Sequence, residues 1–174
     1  MKLSFSTDYW KNYTWSDFCL FAKEMQFSGI EIHDIEQDVF RAPGAIFSPD
    51  NPGYAARKLA NLKINICCLD TTCNMADAER IQGNAAVINN YIYAAASVGA
   101  PYVRVYAHHI DGMSDEGEDA AVAELLTQVI PEAEKKGVVL LVETSGIYAD
   151  TSRLASLLRV FACDNLGALW DICH

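Results

Sequence analysis

Short runs with the character of β-strands recur along the chain, at residues 3–6, 30–33, 64–69, 102–106, 138–143 and 168–171. Between them the apolar positions fall at helical spacing, so the pattern predicts strands alternating with helices. Thr14 followed by Asp17 forms a capping-box signature that opens a helix running through Gln26, with Phe18, Phe21, Ala22 and Met25 on one face and Gly29 closing it. "ADAERIQGNAAVINNYIYAAASVGA" reads as one long helix ending at Gly99, "DEGEDAAVAELLTQVIPEAEKKG" as another ending at Gly137, and "DTSRLASLLRVFA" as a third. Pro131 removes an interior hydrogen bond and should kink the second of these.

Six strands alternating with five helices predict an α/β protein with a parallel sheet built from βα units. The near-continuous apolar runs "INICCL" and "VVLLV" fit strands covered by helices. No linker divides residues 1–174, which read as a single domain. One long irregular stretch, residues 34–53, is rich in Pro, Gly and Asp. A loop of that length inside a domain suggests a functional lid; the alternative is an insertion packed down by Phe40 and Phe47.

Composition narrows the function. The chain has 174 residues, 51% hydrophobic and 21% charged, enough to bury a core. A formal net charge of −10 argues against nucleic acid as a partner, because that affinity comes largely from Lys and Arg. No apolar run is long enough to span a membrane and the start lacks a signal-peptide pattern, so a cytoplasmic location is expected. The six cysteines, Cys19, Cys67, Cys68, Cys73, Cys163 and Cys173, contain no CxxC pair and read as reduced core or strand residues.

In parallel βα architectures ligands bind at the carboxyl ends of the strands. Those ends carry Asp8, then Glu31 with His33, Asp70, His108 with His109, Glu143, and Asp171 with His174. One ionisable residue at a strand end means little, but six strands doing so suggest acids and imidazoles around one cavity. That is the composition of a divalent-metal site. Glu143 is the sharpest member, because a carboxylate closing the aliphatic run "VVLLV" must be paired, metal-bound or protonated. Asp171 follows "LGALW" in the same way, with His174 close behind. Of His108 and His109, adjacent in an extended segment, at most one can face the cavity. Glu31 and His33 share a face, though Glu31 could equally form a structural ion pair with Arg104. Trp10, with Tyr9, Tyr13 and Trp15, could wall a sugar's C–H face or simply pack the mouth.

These residues resemble the xylose-isomerase-like barrels, a family of sugar-phosphate isomerases and epimerases, inosose dehydratases and endonucleases acting at abasic sites. The resemblance runs from "GIEIHD" through "EKKGVVLLVET" to "LGALWDICH". It implies an incomplete TIM-type (β/α) barrel whose seventh and eighth strands are missing, since a full barrel needs about 250 residues. It also implies that Glu143 and Asp171 are metal ligands, for manganese, magnesium, cobalt or zinc, and that His174 contacts substrate. Glu143 would further serve as a proton-transferring carboxylate, and the strand-end and loop residues Glu31, His33, Trp10, Asp70 and one of His108 and His109 are the candidates to contact substrate. The implied activity is isomerisation or epimerisation of a small carbohydrate through an enediolate. As an isolated chain it is expected to be inactive or feeble, needing a second copy or the remainder of a longer polypeptide to complete the barrel. The rivals are zinc-dependent cleavage of abasic DNA, which the acidic balance disfavours, and a non-catalytic barrel module that needs a partner.

Overall fold

A computed structural model of the chain describes residues 2–10, 12–50 and 53–173. Six strands form one sheet in the order β1 (Ser4–Ser6), β2 (Gly29–His33), β3 (Asn65–Asn74), β4 (Tyr102–Tyr106), β5 (Val139–Glu143) and β6 (Leu166–Leu169). Every neighbouring pair is parallel. The crossovers carry α1 (Trp15–Glu24), the single turn α2 (Asp38–Arg41), α3 (Tyr54–Leu62), α4 (Ile81–Val98), α5 (Asp115–Lys136) and α6 (Thr151–Phe161). Five full helices join six parallel strands, an incomplete TIM-type barrel with β1 and β6 as its edges. No helix among the described residues is long and apolar enough to cross a membrane.

Strand alternation divides the sheet into two faces. Ile30, Ile32, Val103, Val105, Leu140 and Val142 are completely buried in the core that the helices share. The opposite face carries Glu31, His33, Arg104, Tyr106 and Glu143, so burial of the valines and isoleucines fixes which way the polar groups point. All six cysteines are free thiols, and burial pushes the Cys19 thiol up to about 11.

The capping box is present, Thr14 accepting from the Asp17 N–H while Asp17 accepts from Thr14. Gly99 and Gly137 end α4 and α5 in the left-handed conformation. Other boundaries depart from the pattern. Helix α1 stops at Glu24, and Gln26 (φ 59°), not Gly29, turns the chain. Gly29 instead opens β2, where a Cβ would lie 3.2 Å from Cys67 Cβ. The segment read as one helix up to Gly99 starts as a 3₁₀ turn (Ala78–Arg80) capped by Asp77. Helix α5 is continuous through Pro131.

Strand β3 runs past Asp70 to Asn74, because Thr71 donates to the Arg104 carbonyl and Asn74 pairs with Tyr106 across a register shift. Asp70 therefore lies within a strand rather than after it. Conversely, β6 ends at Leu169, and Asp171 lies two residues beyond it. The stretch between β2 and α3 is packed down: Phe40 is fully buried and stacks on Phe18 at 5.9 Å, with Ala45 and Ile46 also buried. The described part of this stretch is packed down as the insertion reading expects, while Gln37 to Val39 line a cleft beside His33.

Candidate active site

Strands β2 to β5 bring three carboxylates together around one arginine. Arg104 donates from Nε and Nη2 to the two oxygens of Glu143 at 3.0 and 2.6 Å, and from Nη1 to Glu31 at 2.9 Å. Its Nε also lies 3.8 Å from an Asp70 oxygen. Register explains the convergence: Asp70 is aligned with Arg104, and His33 with Asp70. Such a fork-to-carboxylate pair is the strong, geometrically selective form of ion pairing. Burial works against the guanidinium's charge, but Asp70, Glu143 and Glu31 outweigh it and push its pKa up. Burial pushes the Glu31 carboxyl up, against the opposing pull of Arg104.

The network continues to His33, whose Nδ1 lies 2.7 Å from Asp70 and whose Nε2 lies 3.4 Å from Asp8. Hydrogen bonding to Asp70 raises the His33 pKa, with burial opposing. Asp8, His33, Asp70, Arg104, Glu31 and Glu143 thus form one continuous chain of ionisable groups. At its His33 end it opens into a cleft of about 450 Å³ lined by Thr7, Asp8, Trp10, Tyr13, His33 and Gln37. Trp10 is half-buried and packs against Phe5, Tyr13 and Phe21, so its ring does both jobs, packing the mouth and walling the cleft.

Around the β4 end the adjacent histidines part. His109 turns to Glu118 of α5, Nδ1 to Oε1 at 2.6 Å; Glu118 is fully buried and also held by the Ile110 N–H and Arg153. Glu118 is lowered, its hydrogen bonds outweighing burial. His108 stays at the mouth, its ring 4.8 Å from that of Tyr106 and its backbone clamped at both N–H and C=O by Asn74. Asp171 is tied by its N–H to Thr144 Oγ1 at 2.9 Å, and its carboxylate accepts from the Cys173 N–H. His174 lies outside the described residues.

Three participants escape sequence reading. Arg104 was visible only as an ion-pair option for Glu31, although a charge inside "YVRVY" already demanded a buried partner. Tyr106, half-buried two residues further on the same face, has its pKa raised by burial. Asn74 gives no signal at all, because its role depends on β3 reaching it.

The described residues do not fit a divalent ion as they stand. No group of three or more His, Cys, Asp or Glu side chains among them is placed to hold one, and both oxygens of Glu143 are taken by Arg104.

The description "xylose isomerase-like TIM barrel" belongs to the family model that matches residues 19–174. The chain belongs to this family. Among solved structures, this xylose isomerase-like barrel resembles a 3-keto-D-glucoside 4-epimerase from E. coli at 17% identity and a TM-score of 0.75, covering 98% of this chain and 68% of that one. It resembles a D-tagatose 3-epimerase-like protein at 18% identity and a TM-score of 0.77, covering 100% and 66%. It also resembles the IolI protein, solved with a zinc atom, at 16% identity and a TM-score of 0.79, covering 97% and 62%. At such identities the likeness is one of fold, and the chain spans roughly two thirds of the length of these proteins. A search of curated proteins gives no match.

The His33–Asp70 contact yields a direct prediction. The His33 imidazole should titrate above its ordinary value of about 6.5, and Asp70→Asn should bring it down. Because the folded pKa is raised, the stability this pair contributes is fully present below the unfolded pKa and is lost as pH rises through the folded one. Imidazole ¹H–¹⁵N spectra against pH report both; an unshifted His33 in Asp70→Asn would refute the assignment.

Proposed function

We propose that the protein is a carbohydrate isomerase or epimerase that moves a proton on the carbon next to a carbonyl. The observation that carries this reading is the unbroken chain of acid–base groups from Asp8 to Glu143, opening at the strand ends into a cleft with an aromatic wall. The epimerase and epimerase-like protein among the fold relatives support the same class. A small carbohydrate would lie in the cleft with its apolar face towards Trp10 and its hydroxyls within reach of Asp8, Thr7 and Gln37.

In this reading the Asp8 carboxylate takes the proton from the carbon beside the carbonyl, while His33, held by Asp70, donates towards the oxygen on which enediolate charge develops, with Asp70 fixing the ring and favouring its charged form. Arg104 keeps the neighbouring carboxylates from accumulating uncompensated charge. Tyr106, adjacent to His108, supplies a second proton-bearing group on the same face, and Glu31, its carboxyl pushed up by burial, a third. Asp171, two residues beyond β6, would add a carboxylate from the neighbouring strand end. These 174 residues alone are expected to turn over feebly, since they span about two thirds of the fold relatives.

The test is isotope exchange. Free ketoses, aldoses and keto-cyclitols are incubated with the protein in D₂O over days, and deuterium at the carbon beside the carbonyl is followed by NMR. Exchange into one class of sugar, lowered on the order of a hundredfold in His33→Gln, is expected. Absence of exchange across the panel, with the fold verified, would overturn the proposal.

A further inference from the structure

We infer that Arg104 is a resident cation that keeps Glu143 from binding a divalent ion, so that any ion reaching this mouth must first displace the guanidinium. Three observations converge on this. Both Glu143 oxygens are engaged by one rigid fork, which occupies the chelating edge a metal would use for bidentate binding. Glu143 is buried and its partner carries a permanent charge, so the pair cannot be loosened by titrating the arginine. Finally, Arg104 has alternative acceptors in place: Glu31 at 2.9 Å and Asp70 at 3.8 Å. Displacement therefore transfers the guanidinium to those two carboxylates instead of stranding it in the sheet.

The consequence is competition. An ion sees Glu143 only in the fraction of molecules in which the fork has let go, and its apparent affinity falls by that fraction. The inference concerns which cation Glu143 carries and is tested without a sugar, so it can fail while the carbohydrate reading stands, and the reverse.

Manganese chloride is titrated by calorimetry into the wild-type protein, Arg104→Met, Arg104→Lys and the double variant Arg104→Met with Glu143→Gln. Wild type is expected to bind roughly millimolar or weaker. Arg104→Met should bind at least about tenfold more tightly, with the gain lost in the double variant. Arg104→Lys retains the positive charge that the carboxylates need for folding but cannot span both Glu143 oxygens, so it should show a smaller gain. Equal affinity in wild type and in whichever variants remain folded would overturn the inference. So would tight one-to-one binding by wild type with an unmoved Arg104 Nε–H resonance on addition of zinc, a diamagnetic substitute.

Discussion

Arg104→Met is expected to lower stability by about 3–5 kcal/mol at neutral pH, the range for removing one partner from a buried ion cluster. The reason is less the loss of attraction than the state left behind. Glu31, Asp70 and Glu143 would face one another with no neighbouring guanidinium, and Glu143 and Asp70 are buried. Without the opposing pull of the guanidinium, burial would push the Glu31 carboxyl further up, so the folded variant binds a proton there more tightly than the unfolded chain. Its stability should therefore recover as pH falls towards the unfolded carboxyl range, and the gap to wild type should narrow. Urea unfolding at pH 7 and pH 5 measures both. A loss below about 1 kcal/mol at pH 7, of the size seen for exposed pairs, would mean that Arg104 is not the centre of the cluster.

The same cluster marks how far the sequence could be read. The alternation of strand-like runs and helical segments was enough to predict six parallel strands and five crossovers, because each signal is local: a period of two, a period near 3.6, a cap, a glycine. Strand ends were less legible. Asp70 was placed after β3 and Asp171 within β6, yet pairing between strands extended one strand and ended the other, and pairing is not local. Listing the ionisable groups at strand ends did recover Glu31, His33, Asp70 and Glu143, which the register then brought together. What the list could not give was partnership. Glu31 was open between cavity and ion pair, and the contact it makes in the fold is with Arg104, whose guanidinium reaches both Glu31 and Glu143. His108 and His109 are chemically alike in sequence, and they separate only because Glu118 lies within reach of one and Asn74 clamps the other.

Gly146→Ala is the second substitution with a large expected cost, about 2–4 kcal/mol. Gly146 has φ +55°, and a Cβ there would lie 2.2 Å from the Ala107 carbonyl oxygen and 2.7 Å from His108 Nδ1. The first of these is backbone, so no side-chain rotation relieves it. The Ala107 carbonyl also accepts from the Ile147 N–H at 3.0 Å, the bond that docks the β5 loop onto the end of β4. Alanine would therefore combine left-handed backbone strain with loss of that bond and displacement of His108 from Tyr106. Gly83, on the exposed side of α4 with nothing within 4 Å of its would-be Cβ, is the matched control. Gly83→Ala should leave stability unchanged or raise it by about 0.5–1 kcal/mol, the helix-propensity difference. Thermal unfolding of the two variants, read with the His108 ring resonances, separates a local docking defect from a general one. A Gly146→Ala protein with wild-type stability and an undisturbed His108 would show that the β4 and β5 loops are not locked together, and His108 would lose its fixed place at the mouth.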